Sequence, residues 1–387
     1  MGGAEMSEWK KVKLGEICSR VTSGGTPKAN VESFYTPPAI PWLKTKEVNY
    51  SRIYETENYI SEDGLANSSA KLIAPNSVIV AMYGQGDTAG RVAINKIPLT
   101  TNQACCNLTF DDKKANYEFV YYQLCTLYDK MVSLKSGAAQ PNLNAQIIKG
   151  LEVSLPPLTT QNHIAAILSR YDSLIENYQK QIKLLEEAAQ RLYKEWFVDL
   201  HFPGHETTKI VDGVPEGWEK KKVGDIAPIK TGKKDANFGT PDGAYPFFTC
   251  SQEPIKAPSY SFDMNAVILA GNGDFNVKLY RGKFEAYQRT YVIEPNDPSM
   301  LYLLYFCISE NMNKLAKGAS GSTIKFLTKG MIDSLEIFVP TTVVVSKFNH
   351  YTEAIQSNKE RIQSQIRLLT EARDRLLPKL MSGEINV

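Results

Sequence analysis

Few residues in this sequence have the types and spacing that catalysis requires. The run TSGGTPK (Thr22–Lys28) offers glycines and a lysine, but not the G-x-x-x-x-G-K-[ST] spacing whose backbone amides cradle phosphates. GQGDTAG (Gly84–Gly90) has too few matching glycines for a dinucleotide fingerprint and reads as a turn. YTPP (Tyr35–Pro38) lacks the Asn of the Asn-Pro-Pro-Tyr motif of amino-methyltransferases. His201 and His205 have a helical metal-ligand spacing, but Pro203-Gly204 between them breaks the helix that would align them. Asp212, Glu219 and Lys221 imitate a nuclease signature only by chance, in a DGVPEGW loop. None of the six cysteines forms a C-x-x-C pair, and adjacent Cys105 and Cys106 suit neither zinc nor an unstrained disulfide. They read as reduced, mostly buried thiols of a cytoplasmic protein. No nucleophile–base pair and no metal set emerges, so neither catalytic nor metal-ligating residues are expected.

The elements that would position any functional residue come in duplicate. IKLLEEAAQRLYKEWF (Ile182–Phe197) returns 184 positions later as IRLLTEARDRLLPKLM (Ile366–Met381). At the same shift Leu151, Glu152 and Pro156 meet Leu335, Glu336 and Pro340, while Gly137 meets Gly321. The starts of the halves match at a shift of 209, WKKVKLGEI from Trp9 against WEKKKVGDI from Trp218. Between these frames similarity is faint, although NSVIVA (Asn76–Ala81) and NAVILA (Asn265–Ala270) read as one core strand written twice. Each half then consists of short apolar runs broken by Gly, Pro, Asn and Asp, with short helices at Tyr117–Leu127 and Met300–Glu310, and a long helix at its close. The fold class is α+β: two mixed, mostly β units, a long antiparallel two-helix coiled coil and a pseudo-twofold internal repeat.

The first long helix carries an apolar seam at spacings of four and three: Ile164, Leu168, Tyr171, Ile175, Tyr178, Ile182, Leu185, Ala189, Leu192 and Trp196. Pro203-Gly204 are expected to end it. In the second, Phe348, Ile355, Ile362, Ile366, Leu369, Leu376 and Leu380 keep the seam, Thr352, Lys359 and Arg373 interrupt it, and Pro378 should stop or kink the last turn. Two similar units held apart by paired helices suit duplex DNA, which presents the same groove once per turn, about 34–36 Å apart. No apolar run approaches a membrane span, and a net charge of +2 leaves nucleic-acid contact to local basic patches.

The ordered fragments WKKVKLGEI, TSGGTPK, IPWLKTKEV, SGAAQPNLN, LPPLTTQNHIAAIL and LLEEAAQRLYKEWF, then GWEKKKVGDI and RLLPKLMSGEI, resemble the specificity subunits of type I restriction-modification systems over nearly the whole chain. The resemblance implies a non-catalytic subunit that reads a bipartite DNA target around a fixed spacer. It implies target-recognition domains at residues 1–155 and 217–339, conserved helices at 156–200 and 340–387, and a linker at 201–216. The implied partners are double-stranded DNA, two methyltransferase subunits and two restriction-translocase subunits. S-adenosylmethionine, ATP and Mg are then expected on those partners and not on this chain, and the partner flips the target adenine from the duplex.

Phosphate contacts position a protein and base contacts specify sequence. The strongest basic cluster is Lys220, Lys221, Lys222, Lys230, Lys233 and Lys234. Thr22, Ser23, Lys28, Lys44, Lys46 and Arg91 in the first half, and Lys278 and Arg281 in the second, complete the expected backbone contacts. Gln85, Gln252, Asn272, Gln288 and Arg289 are the candidates for bidentate base contacts. Two other readings compete: a coiled-coil scaffold that binds only proteins, which predicts no salt-sensitive DNA binding, and a free-standing DNA enzyme, which the missing motifs disfavour.

Overall fold

The computed structural model of the chain describes residues 9–84, 86–135, 142–321 and 325–387. The chain forms two compact units, Met1–Asn177 with Gln365–Val387, and Tyr178–Ser364. The division falls inside both long helices, Leu158–Phe197 and Thr342–Met381, so each helix gives one half to each unit.

The first unit is framed by Lys10–Lys13 paired antiparallel with Glu152–Leu155. Its main sheet has the spatial order Cys18–Ser23, Cys105–Phe110, Val78–Ala81, Val92–Asn95, Ser51–Ile53. The first four are mutually antiparallel and the edge strand Ser51–Ile53 runs parallel to its neighbour. Val78–Ala81 and Val92–Asn95 are buried on both faces, which explains their unbroken apolar runs. One face packs on helix Tyr117–Thr126, capped by Asn116, whose side chain accepts from the Glu118 and Phe119 amides. The other face packs a smaller cluster around Leu43, Val48 and Leu99. Leu168, Leu380 and Met381 of the long helices enter the larger core beside Phe119.

The second unit repeats that plan. Glu219–Lys222 pairs with Glu336–Val339. A six-stranded sheet has the order Ile229–Thr231, Thr290–Ile293, Phe262–Ala270, Val277–Ala286, Tyr245–Phe248, Ile255–Ala257. Its first four strands match the first four of the other unit in chain order, in spatial order and in antiparallel sense. A parallel strand again follows, Tyr245–Phe248. The helix over the sheet is Leu301–Glu310. Its core is aromatic: Phe197 and Phe348 meet edge to face with ring centres 4.9 Å apart, and Trp218 packs on Phe202 at 4.5 Å.

None of the expected seam residues is exposed. Ile164, Leu168, Ile175, Ala189, Trp196, Phe348, Ile362 and Leu380 are buried, and Tyr171, Tyr178, Ile182, Leu185, Leu192, Ile355, Ile366, Leu369 and Leu376 are half-buried. The three interruptions are accommodated. The Thr352 hydroxyl donates to the Phe348 carbonyl at 2.9 Å, Lys359 reaches Glu186 at 3.1 Å, and Arg373 reaches Asp172 at 2.7 Å. The two interhelical pairs have the same sum of residue numbers, as antiparallel helices in one register require. Two expectations change. Pro378 does not stop the second helix, which continues to Met381, because buried Leu380 and Met381 hold its last turn against the core. The first helix ends at Phe197, before Pro203, because Leu200 takes a positive φ of 61° and turns buried Phe202 back onto Trp218.

Candidate nucleic-acid interface

In the first unit, five strand ends converge: the carboxyl ends at Ser23 and Ala81 and the amino ends at Ser51, Val92 and Cys105. The loops leaving this end are tied together. Gly24 and Gly25 donate backbone bonds to Cys105 and Thr101, the Trp42 indole donates to the Gly25 carbonyl at 3.1 Å, and Asn102 N–H bonds Leu43 O at 3.0 Å. Gly24 has no room for a side chain, since a Cβ there would stand 2.1 Å from the Asn102 carbonyl oxygen. The glycines of TSGGTPK thus serve close backbone packing. Thr22 and Ser23 end their strand, and Lys28 is exposed in the following loop. Lys44 donates to Asn58 at 3.0 Å and lies over the Trp42 ring, Lys46 pairs with Glu57, and Arg91 donates to Asn49 and Asp87 at 2.8 and 2.6 Å. Gln85 lies outside the described residues.

The corresponding strand ends of the second unit are Thr231, Ala270, Val277 and Thr290. Gln288 N–H bonds the Lys234 carbonyl at 2.9 Å and its side chain donates to Asp235 at 2.7 Å. Gly271 N–H bonds the Arg289 carbonyl at 2.9 Å, Asn272 bridges to Phe326, and Gln252 donates to Asp274 at 2.5 Å. Lys278 donates to the Ser251 carbonyl at 2.9 Å, and burial pulls it below the ordinary lysine range. Lys233, Lys234, Gln252, Asn272, Lys278, Gln288 and Arg289 are therefore gathered by one cluster of loops, with exposed Lys230 on the adjoining strand. A recess of about 320 Å³ opens there between Thr231, Gln288, Arg289, Phe326 and Lys329.

The structure divides the basic cluster expected around Lys220–Lys234. Lys220 and Lys221 sit on the framing strand and pair with Glu336 at 2.9 Å and Glu219 at 2.6 Å, whereas Lys230, Lys233 and Lys234 belong to the loop end. Arg281 points instead to a long helix. It grips Glu353 of the second long helix through two bonds of 3.0 and 2.7 Å and contacts the Tyr302 hydroxyl. That pairing holds the Glu353 carboxyl at about 2, well below the usual range, chiefly through the arginine's hydrogen bond. The first unit has its own such anchor. Arg52, almost fully buried, donates to Glu176 at 3.1 Å and to the Tyr122 hydroxyl at 3.2 Å, and Tyr122 donates to Asp172 at 2.5 Å.

Sequence reasoning missed Asn49, Asn102 and Gln103, and Phe326 and Lys329. Asn102 and Gln103 carried a usable signal, polar amides immediately before the strand Cys105–Phe110. Phe326 and Lys329 had none, because chain separated by about a third of the unit brings them to Gly271 and Arg289.

His201 and His205, not expected as a metal pair, bond Glu195 and the Phe202 carbonyl, both at 2.9 Å. No group of histidine, cysteine or carboxylate side chains able to hold a metal occurs among the described residues.

The architecture is thus one strand frame, used twice, presenting two different sets of loops. The family model for the type I restriction modification DNA specificity domain matches residues 6–187 and again residues 215–367. The chain belongs to this family. The MjaIX type I specificity subunit of Methanocaldococcus jannaschii is 28% identical over 419 residues, covering 98% of this chain and 94% of that one. The EcoDI specificity subunit of Escherichia coli is 38% identical over 176 residues, or 44% of this chain and 39% of that one. A crystal structure of a type I restriction-modification S subunit from M. genitalium shares the fold, with a TM-score of 0.61 at 16% identity over 98% of both chains. Each of the two matched segments contains one of the two loop ends.

Proposed function

We propose that this chain is the DNA-reading subunit of a type I restriction-modification complex, with one half of a bipartite duplex target read at the loop end of each unit. The observation that carries this reading is the duplicated four-stranded frame with divergent loops. A single conserved frame with two different polar loop sets suits two half-sites of different sequence. As a specificity subunit it is a targeting chain that assembles with other subunits and DNA, and the chemistry resides on those partners.

The finer composition belongs to the proposal. Two methyltransferase subunits and two restriction-translocase subunits complete the assembly, and S-adenosylmethionine, ATP and Mg are held by them. A fixed spacer between half-sites belongs to the same proposal. A cytoplasmic location follows from the DNA target, and no helix among the described residues is long and apolar enough to cross a membrane.

The test is to copurify the chain with its methyltransferase and map adenine methylation over a random duplex library. Methylation confined to one bipartite sequence is expected, and methylation without sequence preference overturns the reading. A scaffold that binds only proteins predicts instead no salt-sensitive DNA binding in the assembled complex. Turnover by the isolated chain marks a DNA enzyme.

A further inference from the structure

The recess at the loop end of the second unit is equipped for more than a phosphate. Phe326 stands in its wall with 38% of its surface exposed. A single exposed aromatic needs no explanation. This one is held in place by the backbone around it. Phe326 N–H bonds the Ser320 carbonyl at 2.8 Å, and Leu327 N–H bonds the Gly271 carbonyl at 2.8 Å. The Tyr291 hydroxyl donates to the Leu327 carbonyl at 2.8 Å. A Cβ at Gly271 would stand 2.3 Å from the Arg289 carbonyl oxygen, so only glycine lets these walls approach.

Three polar side chains line the same recess. Gln288 bonds Asp235, and a carboxylate only accepts, so the Gln288 NH2 faces Asp235 and its Oε1 is left as an acceptor. Arg289 and Lys329 are exposed donors, and neither side chain has a hydrogen bond or ion pair among the described residues. The recess thus offers an aromatic face, one acceptor and two donors within about 320 Å³. Thymine, whose N3–H lies between two carbonyl oxygens, complements that set. A paired thymine cannot use it, because its N3–H is already taken by adenine. The first unit lacks the equipment. Under the 184-residue repeat Leu327 and the helix cap Thr328 meet Leu143 and the helix cap Asn144, but Phe326 and Lys329 meet Asn142 and Ala145.

We infer that this recess receives an unpaired thymine, the base left behind when a partner draws its adenine out of the duplex. Phe326 stacks on the thymine ring, Gln288 Oε1 accepts from N3–H, and Arg289 and Lys329 donate to the two carbonyl oxygens. This rests on the reading above, which supplies the ligand: a duplex from which a methyltransferase takes an adenine. Holding the abandoned thymine offsets part of the cost of unpairing and unstacking. The targeting chain thereby assists the flip at one half-site and not at the other.

The experiment uses the full chain in complex with its methyltransferase subunit. Each target adenine in turn is replaced by an abasic site, and the position opposite carries thymine, cytosine or no base. Dissociation constants are read by fluorescence anisotropy at one salt concentration. At one half-site the wild-type complex prefers thymine over no base by roughly tenfold, the scale of one stacked base, and binds cytosine less well than thymine. Phe326→Ala removes that preference, Phe326→Tyr keeps it, and Gln288→Met leaves thymine and cytosine equal. Affinities at the other half-site are the same in wild type and variants, which also shows that the variants fold. A thymine preference that survives Phe326→Ala, or cytosine bound as well as thymine by wild type, overturns the thymine site. A loss of affinity in Phe326→Ala that is equal for all three duplexes marks an ordinary backbone contact and overturns it as well. Each of these failures leaves the proposed function intact. Methylation without sequence preference by the wild-type complex overturns that function and this inference together.

Discussion

Arg52 and Arg281 do the same work in the two units, and neither is recognisable from its local sequence. Each leaves the sheet, meets a tyrosine of the covering helix, and ends on a carboxylate of a long helix. Removing a buried member of such a cluster leaves charges without partners, at a cost of about 3–5 kcal/mol. Arg52→Met should therefore destabilise the first unit by roughly that amount in denaturant unfolding, leaving Glu176 and Glu118 without it. The Glu353 anchor is more exposed and acts through pH. Its folded value of about 2 lies below the unfolded 4.5, so its stabilisation is complete above the unfolded value and is lost as pH falls toward 2. A melting-temperature profile between pH 5 and about 2.5 should lose part of its acid slope in Glu353→Gln, and an unchanged profile would contradict this account. Arg281 is engaged in this anchor through Glu353 and Tyr302. Lys233→Ala should reduce the slope of log K against log salt by about one phosphate's worth, near 0.9, whereas Arg281→Ala should leave it unaltered.

Among the elements, legibility follows the range of the interactions involved. The helical seam was open to reading because the residues that share a face recur within seven positions. The strand Val78–Ala81 and its counterpart were open because burial on both faces leaves a continuous apolar run. The polar interruptions of the second helix were not, since Lys359 and Arg373 find Glu186 and Asp172 more than 170 residues away. The loop ends were half legible. Asn and Gln near strand ends marked Gln288 and Asn272, but Arg281, in the same basic run, turns to the helix instead. The two interhelical pairs also give the helix contact a direction. Under the 184-residue repeat, Asp172 and Arg373 map to Gln356 and Ala189, and Glu186 and Lys359 to Thr370 and Ile175. Neither pair has a charged equivalent. Exchanging charges in Glu186→Lys with Lys359→Glu should recover most of the stability that either single change removes, measured as a double-mutant cycle by thermal unfolding.

For the whole molecule, the paired helices are continuous through both compact units. Seven residues added to each helix at matched positions lengthen the pair by about 10 Å, close to three base pairs of duplex. The methylated target of such a variant should keep both half-sites and gain about three spacer base pairs, read directly from methylome sequencing. Altered half-sites with an unchanged spacer would show that the helices do not set the distance.

The division of the chain between the units also has a consequence in time. The first unit needs residues 365–387, because Leu380 and Met381 fill its core beside Phe119. A ribosome reaches residue 365 after making the 188 residues that follow Asn177, roughly 10–40 s at ordinary synthesis rates. Throughout that interval the core of the first unit stands open along one side while the second unit is still being made. A chain that ends between the two units lacks residues 365–387, and with them Leu380 and Met381 of the first unit's core.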